Sequence, residues 1–306
     1  MPSMRKMNGI IIVNKPQDFT SFDVVAVVRK LLNEKKVGHT GTLDPMATGV
    51  LPILIGRATK LQRFILESNK EYVADFKLGI RTDTLDTTGK ILSSFESNVK
   101  KNEFEKILPN FRGNISQIPP MFSAVQKNGV RLYNLARKGL EVTRDPRKIS
   151  INKLQLLDFD ETSQKGTLLV NCSKGTYIRT LCDDIGQKLG CGAVLTALKR
   201  VKACGFDIKD SVTLDKAKDL TSKNELSKYI LPCDILFQNC TKVCISSAQA
   251  NRFKNGGSLC LDRLHFSATL SDEQVIGVYN ADIGFIGLGK INLNKNELAV
   301  ACLVEI

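Results

Sequence analysis

Residues 37–56 read VGHTGTLDPMATGVLPILIG, and no other stretch of the chain is as unusual in composition. The first half combines Gly38, Gly41 and Gly49 with three threonines and a proline, which is typical of an irregular loop between apolar elements. An irregular loop inside a core region is more often functional than idle. Asp44 lies within it, where a carboxylate is surrounded by backbone and a substrate has room to approach.

Apolar runs on both sides of this loop predict strands. The run IIIV at residues 10–13 predicts a buried strand, and the alternation from Tyr72 to Leu78 predicts a strand with one buried face. Residues 81–89, RTDTLDTTG, have the composition of the turn after that strand. Residues 168–172 predict a further strand.

Two stretches carry helical signals. Thr20 and Asp23 have the spacing of a capping box, which predicts a helix over residues 22–32. A second helix is expected to open within SKGTY at residues 173–177 and to run to Leu189, where two glycines follow as C-cap residues. Its apolar residues share one stripe at helical spacing: Ile178, Leu181, Cys182, Ile185 and Leu189.

The 306 residues exceed the usual size of a single core, which predicts one large domain and a smaller one. We place the large domain at residues 1–232 and the join near Leu231 to Asn239, where Pro232 follows a charged stretch. Residues 112–148 are rich in lysine and arginine and predict an exposed basic arm. Short strands with glycine turns predict a small β-rich domain over residues 240–306; they lie around 243–246, 274–279, 285–291 and 298–306.

The charge balance bears on possible partners. Forty-four Lys and Arg against 31 Asp and Glu give a net charge of +13. Such an excess favours polyanions, because each phosphate contact releases condensed counterions. The alternative is a lysine-rich surface that only keeps the protein in solution, and charge alone does not decide between the two.

The same composition argues against several classes. No apolar run approaches the ~18 residues of a membrane span. The short amino-terminal apolar run is interrupted by Asn14, Lys15 and Pro16 without a cleavage site, which predicts a cytoplasmic protein. The nine cysteines form no C-x-x-C pair and there are only two histidines, so we predict neither a disulfide framework nor a metal site.

An isolated Leu-Asp-Pro would most simply be a turn in which Asp44 caps the backbone. Here the surrounding run, GHTGTLDPMATGVLPILIGRATK, resembles the signature loop of the TruB family of pseudouridine synthases. Further blocks resemble that family in the same order along residues 9–205. They are GIIIVNKPQDFTSFDVV, KEYVADFKLGIRTDTLDTTG, FRGNISQIPPMFSAVQKNGVRLYNLARKG and CSKGTYIRTLCDDIGQKLGCGAVLTALKR.

The resemblance implies both a fold and a reaction. The fold is the α/β (α+β) pseudouridine synthase fold, a mixed and mostly antiparallel sheet flanked by helices. FKNGG at 253–257 and FIGLGK at 285–290 resemble an appended PUA-like RNA-binding domain. The implied activity is isomerisation of uridine 55 in the T-arm loop of tRNA, by a monomer without metal or organic cofactor.

The resemblance also implies roles for individual residues. Asp44 matches the catalytic aspartate, Tyr72 the tyrosine that stacks on the target base, and Arg179 the arginine that pairs with the aspartate. Three further positions match substrate-binding residues: Tyr177, the apolar pocket wall Leu198, and His39, which fills space near the displaced base. Lys15 and Pro16 match a motif that is mainly structural.

Elementary chemistry fits these residue types. Breaking the N-glycosidic bond, turning the uracil and rejoining it through C5 involves no redox change and no added group. One carboxylate suffices, acting as a nucleophile at the sugar or as a base, and the sequence leaves both roles open. Arg179 would hold Asp44 ionised and oriented, and Tyr72 offers a flat face for a rotating base. The target base must leave the stack, and an imidazole such as His39 could fill the gap.

Simpler interpretations exist for these residues. Tyr72 could be a core residue of a strand, Leu198 ordinary packing, and Arg179 the surface partner of Asp183 four residues on. Asp83 and Asp86 would suit a glycosidase with two carboxylates. Their spacing in a threonine-rich turn favours turn capping instead.

Two rival functions follow from other features. The basic charge alone would also suit a non-catalytic RNA-binding or tRNA-folding protein. The combination of Asp44, Tyr72 and Arg179 argues against it, because a protein that only binds RNA does not need the carboxylate. A phosphate-loop nucleotidase is excluded, because the glycine-rich run lacks the order G-x-x-x-x-G-K-[ST].

Overall fold

The apolar runs of the sequence form two sheets in the computed structural model, which describes residues 8–65 and 69–304. The helices are α1 (Ser21–Leu32), α2 (Gln62–Ile65), α3 (Lys101–Ile107), α4 (Leu132–Ala136), α5 (Ile178–Lys188), α6 (Leu214–Ser222) and α7 (Ser247–Lys254). The first strands are β1 (Gly9–Lys15), β2 (Val37–His39), β3 (Thr48–Ile55), β4 (Lys70–Leu78), β5 (Ile80–Thr82), β6 (Ile91–Ser94), β7 (Gly113–Gln117), β8 (Gln126–Lys127), β9 (Val130–Arg131) and β10 (Arg147–Asp160). The later strands are β11 (Lys165–Cys172), β12 (Ala193–Ala203), β13 (Phe206–Asp207), β14 (Val212–Thr213), β15 (Lys242–Cys244), β16 (Leu259–Cys260), β17 (Val275–Asn280), β18 (Gly284–Asn292) and β19 (Glu297–Leu303).

The larger sheet has ten strands and runs in the order β14-β1-β3-β12-β4-β11-β10-β7, with β2 beside β3 and β13 beside β12. Only the pairs β1 with β14 and β3 with β12 are parallel. The sheet is therefore mixed and mostly antiparallel, as predicted. Strand β4 lies between β11 and β12, so residues on these three strands share the middle of the sheet.

The buried strand predicted at residues 10–13 is confirmed as part of β1, and both of its faces are covered. Ile11 and Val13 pack with apolar residues of α1 and α6. Ile10 and Ile12 pack on the opposite face with Leu288 of the smaller sheet and with Cys302 and Val304. A strand buried on both sides accounts for a continuous apolar run instead of an alternating one.

The helix predicted over residues 22–32 is α1, and its cap is the predicted capping box. The Thr20 hydroxyl accepts from the Asp23 amide, and the Asp23 carboxylate accepts from the Thr20 amide. The second predicted helix starts later than expected. SKGTY forms a turn, Tyr177 is the N-cap, and α5 begins at Ile178.

The C-terminal strands form a separate five-stranded sheet in the order β15-β17-β18-β19-β16, which confirms the β-rich character predicted for this part. The sequence prediction of a strand to residue 306 is confirmed as far as Leu303, and residues 305–306 lie outside the described residues. Segment 231–239 is more than a connection. Cys233 and Phe237 are buried in the same cluster as Ile10 and Ile12, so the two parts share a core.

The basic segment 112–148 divides between two environments. Strand β7 pairs with β10 and forms one edge of the larger sheet. Residues 126–131 form a small hairpin of β8 and β9 with exposed side chains. Between them, Met121 and Ser123 are buried. Part of the segment is thus built into the domain, while the hairpin and most of residues 137–148 are exposed, as predicted for the arm.

Candidate active site

The loop that carries Asp44 joins β2 to β3. Residues 15–21, which lead into α1, hold it by hydrogen bonds. The Ser21 hydroxyl accepts from the Leu43 amide at 2.9 Å and donates to the Leu43 carbonyl at 3.2 Å. The Asp18 amide donates to the Pro45 carbonyl at 2.9 Å. The buried Lys15 ammonium donates to the carbonyls of Phe19 and Pro45. These bonds hold the backbone on both sides of Asp44.

A second clamp on this loop is Arg200, which is only 1% exposed. Its guanidinium donates to the Gly41 carbonyl at 3.1 Å and to the Val50 carbonyl at 2.8 Å. The backbone of β12 approaches β3 closely enough to require a glycine. A Cβ on Gly49, whose φ is +105°, would lie 2.2 Å from the Arg200 carbonyl oxygen.

Asp44 meets Arg179 in the lining of a cavity. Arg179 Nη2 lies 3.0 Å from Asp44 Oδ2, and the two side chains are 6% and 39% exposed. The same guanidinium donates to the carbonyls of Thr84 and Phe122 at 2.9 and 2.8 Å. The cation is therefore fixed inside the protein, and the carboxylate it holds faces outward.

Asp86 is a further partner of Arg179 that the sequence did not reveal. Its Oδ2 lies 3.7 Å from Arg179 Nη1, and both side chains are buried. Its Oδ1 accepts from the Thr84 hydroxyl at 2.7 Å and from the Thr88 amide at 3.0 Å. Turn capping by Asp86 is thus confirmed, while the second oxygen helps to hold the arginine. Asp183 pairs with Arg81 instead of Arg179, at 2.7 Å.

The cavity beside Asp44 has a volume of about 310 Å³ and is lined by four of the five predicted substrate-binding residues. Tyr72 of β4 and Leu198 of β12 form an apolar wall, Tyr177 stands at the start of α5, and Arg179 lies next to Asp44. The remaining lining comes from residues 40–44, 70, 123–124, 173–176, 178 and 200. This volume is at the lower end of the ~300–1,000 Å³ of small-molecule sites.

Tyr177 is held from the basic segment. Gln117, at the end of β7, accepts from the Tyr177 amide at 2.8 Å and donates to its carbonyl at 3.0 Å. Burial raises the pKa of the Tyr177 phenol and that of the Tyr72 phenol, so both rings are neutral at physiological pH. Neutral aromatic faces in a cavity suit a flat, uncharged base better than a charged group.

His39 does not line the cavity in this structure. It lies in β2, is 8% exposed, and its Nδ1 has no hydrogen-bond partner among the described residues. Burial, and secondarily the charge of Arg200, lower the pKa of His39 and favour the neutral imidazole. Its neighbour Thr40 does line the cavity. The sequence prediction that His39 fills the space of a displaced base stays a prediction.

Four cationic side chains surround the single carboxylate. Lys70, Lys174, Arg179 and Arg200 all line the cavity with Asp44. Burial lowers the pKa of Lys70. Within residues 8–65 and 69–304, no group of three or more His, Cys, Asp or Glu is placed to hold a metal ion. The arrangement favours a ligand that combines a neutral ring with nearby negative charge, which describes a nucleotide.

Lys15 makes stability depend on pH in a defined window. Burial lowers its pKa from 10.5 to about 8. Between these values the unfolded chain holds a proton that the folded chain has lost. The buried ammonium therefore destabilises the folded state below pH 8, and this penalty, about 3 kcal/mol at most, is relieved as the pH rises to 10.5. Denaturant unfolding across this range should show a rise for the unsubstituted protein relative to Lys15→Met. Parallel pH curves for the two proteins would contradict the assignment.

The residues that sequence reasoning missed serve the site through the backbone. Ser21, Gln117 and Arg200 bind main-chain groups of the loop or of the turn before α5. Residue spacing does not signal such contacts, since the partners are up to 159 positions apart. The sequence held one weak indication that Arg200 belongs to the site. It lies two residues after Leu198, and residues two apart in a strand lie on the same face of the sheet.

Two family models match consecutive parts of the chain. Residues 29–178 match the family model described as "TruB family pseudouridylate synthase (N terminal domain)", and residues 179–238 match "tRNA pseudouridylate synthase B C-terminal domain". The chain belongs to the TruB family. The two models meet at the first turn of α5, and together they span residues 29–238.

Several TruB-family relatives match over nearly their whole length. Proteins named tRNA pseudouridine synthase B are 45% identical in Clostridium tetani, over 93% of this chain and 96% of the relative. In Alkaliphilus oremlandii the identity is 43%, over 97% and 98%. In Clostridioides difficile it is 40%, over 96% and 98%.

Solved structures confirm the fold predicted for this TruB-family chain. A Cbf5-Nop10-Gar1 complex matches with a TM-score of 0.75 and 26% identity, over 96% of this chain and 83% of the other. An H/ACA RNP bound to a substrate RNA containing 2'-deoxyuridine matches with a TM-score of 0.74 and 22% identity, over 97% and 85%. The mixed α/β pseudouridine synthase fold is thereby established. Among the described residues, no helix has the length and apolar character needed to cross a bilayer.

Proposed function

We propose that this chain is a tRNA pseudouridine synthase that isomerises uridine 55 in the T-arm loop, with Asp44 as its catalytic carboxylate. The observation that carries the proposal is the ion pair of 3.0 Å between a buried arginine and a half-exposed aspartate in the lining of a nucleotide-sized cavity. The names of the relatives supply the tRNA substrate.

The chemistry assigns a task to each of the residues proposed for the site. Asp44 attacks the sugar or removes a proton while the N1–C1′ bond breaks. Tyr72 and Leu198 hold the freed uracil between an aromatic face and an aliphatic wall as it turns. The new C5–C1′ bond forms, N1 gains a proton and C5 loses one, so atoms balance without a cofactor.

The distribution of charge supports an RNA substrate bound mainly by the first part of the chain. Residues 240–306 contain six basic and six acidic residues, so the whole net charge of +13 lies in residues 1–239. Phosphate contacts should therefore concentrate around the cavity and the basic segment 112–148. We also propose that the protein binds its RNA as a monomer in the cytoplasm.

We extend the proposal to residues 240–306 as a PUA-like RNA-binding domain that follows a catalytic domain at 1–232. The five-stranded sheet and the FKNGG and FIGLGK runs support it. Truncation is a poor test, because Leu288 and Cys302 are buried against β1 and β3. Photo-crosslinking of tRNA that carries 4-thiouridine, followed by peptide mapping, reports directly whether this domain touches RNA.

The direct test of function is to incubate the purified protein with a T-arm stem-loop RNA and to map pseudouridine by mass spectrometry. We expect one pseudouridine, at the position of uridine 55. A stem-loop in which that uridine is replaced by cytidine serves as the matched control. Tight RNA binding without any pseudouridine would favour a non-catalytic RNA-binding protein and overturn the proposal.

A further inference from the structure

Phe22 is an aromatic side chain that the fold leaves uncovered beside the active site. It lies in the first turn of α1 and is 66% exposed, compared with 45% for Phe95. Leaving a phenylalanine exposed forfeits most of the free energy that its burial would contribute to folding. A single exposed ring needs no explanation by itself, and the argument rests on where this one is placed.

The backbone of Phe22 is fixed to the same frame as Asp44. The preceding residue, Ser21, exchanges hydrogen bonds of 2.9 and 3.2 Å with the backbone of Leu43, and Leu43 directly precedes Asp44. The capping box of Thr20 and Asp23 fixes the backbone of the first turn of α1, in which Phe22 lies. The backbone of Phe22 is therefore held next to the loop that carries Asp44.

One side of the Phe22 ring packs against the imidazole of His39. Its centroid lies 5.2 Å from that of His39, at an interplanar angle of 80°. His39 is buried, and its Nδ1 has no partner among the described residues. An edge-to-face contact with a fixed imidazole holds one side of the phenyl ring and leaves the rest to solvent.

The electrostatic surroundings decide what kind of group meets this ring. The exposed carboxylate of Asp23 and the neighbouring Asp18 would repel a phosphate at this point. A nucleobase, in contrast, presents a neutral π-face to an aromatic ring. The cations that suit phosphates, such as Lys174, line the cavity together with Asp44, and Phe22 is not among the lining residues.

We propose that Phe22 stacks on the unpaired base that adjoins the extruded uridine and so positions the RNA loop over Asp44. This inference rests on the proposed function. Extrusion of one base exposes the face of its neighbour, and a side chain fixed next to the site recovers the lost stacking. Stacking of one base on an aromatic side chain changes affinity by about 5- to 100-fold.

Kinetics with the T-arm stem-loop provide the first test. Phe22→Ala should raise KM by about 5- to 100-fold and leave kcat within about twofold, because the ring acts on RNA binding and not on the bond. Phe22→Leu keeps apolar bulk without an aromatic face and should behave like the alanine variant while melting like the unsubstituted protein. Phe95→Ala is the matched control and should leave KM unchanged.

Fluorescence of a tryptophan at position 22 reports contact with the RNA, and it would not change if Phe22 only stabilised the fold. The chain has no tryptophan, so Phe22→Trp introduces a single reporter. This variant should keep near-normal KM, and its emission should be quenched on saturation with the stem-loop. Phe95→Trp should show no quenching. Unchanged emission of Phe22→Trp at saturating RNA, or an unchanged KM for Phe22→Ala, would overturn the proposal.

The two proposals fail in different ways. If the unsubstituted protein forms no pseudouridine, the proposed function is wrong whatever the fluorescence shows. If it forms pseudouridine and Phe22→Ala does so with the same KM, the function stands and the role of Phe22 is wrong.

Discussion

Asp44→Asn is expected to lower the rate of pseudouridine formation by at least about a thousandfold, the loss usual for a main catalytic group. Asparagine has the same shape and keeps an oxygen that accepts from Arg179, so the loop and the ion-pair geometry change little. It lacks the negative charge needed for attack or for proton removal. Single-turnover assays with enzyme in excess of the stem-loop RNA measure this step directly.

RNA binding should persist in Asp44→Asn, because the carboxylate acts on the bond and repels phosphates instead of attracting them. Fluorescence anisotropy with labelled stem-loop should give a Kd equal to or below that of the unsubstituted protein. Asp83→Asn is the matched control, since Asp83 accepts a backbone hydrogen bond from Lys90 and does not line the cavity. Product formation by Asp44→Asn at a rate near that of Asp83→Asn would remove Asp44 from the mechanism.

The parts of this site that the sequence predicted are those with a local signature. Asp44 was predicted because its loop combines glycines, threonines and a proline between apolar runs, and because a long block resembles a family. The cap of α1 was found because a capping box needs only two residues three positions apart. Periodicity likewise predicted the strand that carries Tyr72.

Contacts between distant segments had no such signature. The helical pattern of α5 by itself would allow a surface pair of Arg179 with Asp183, whereas the family resemblance implied a pair with Asp44. In the structure Arg179 is buried and lies 3.0 Å from Asp44, while Asp183 pairs with Arg81. The reason is tertiary. Strand β7 and residues 121–123 pack over the start of α5. The side of the helix that carries Arg179 is therefore buried, although its residues are polar. Helical periodicity describes one element and cannot report what packs against it.

The late start of α5 has a physical explanation as well. SKGTY contains Gly175 in the left-handed region, with φ +82°, which a helix does not accept. The turn that results places residues 173–176 on the wall of the cavity. Ser, Gly and Thr are also weak helix formers, and Gln117 holds the end of this turn at Tyr177, the N-cap of α5.

Arg179 is the second residue whose replacement should have a large effect. Its guanidinium contacts two carboxylates and two backbone carbonyls from inside the protein. Arg179→Met would leave Asp86 as a buried charge without its cation, and we expect a loss of about 3–5 kcal/mol in the free energy of unfolding. Denaturant unfolding of both proteins measures this loss.

Arg179→Lys separates charge from geometry. Lysine keeps the positive charge but cannot direct donors to Asp44, Thr84 and Phe122 at once, so the carboxylate loses its fixed orientation. Misplacement of a reacting group by about 1 Å costs about a hundredfold in rate, and we expect a fall in kcat of that size with KM little changed. The matched control is Arg81→Lys, because Arg81 also pairs with a buried aspartate, Asp183, but lies outside the cavity. If kcat fell equally in both variants, measured where each still melts cooperatively, Arg179 would stabilise the fold without positioning Asp44.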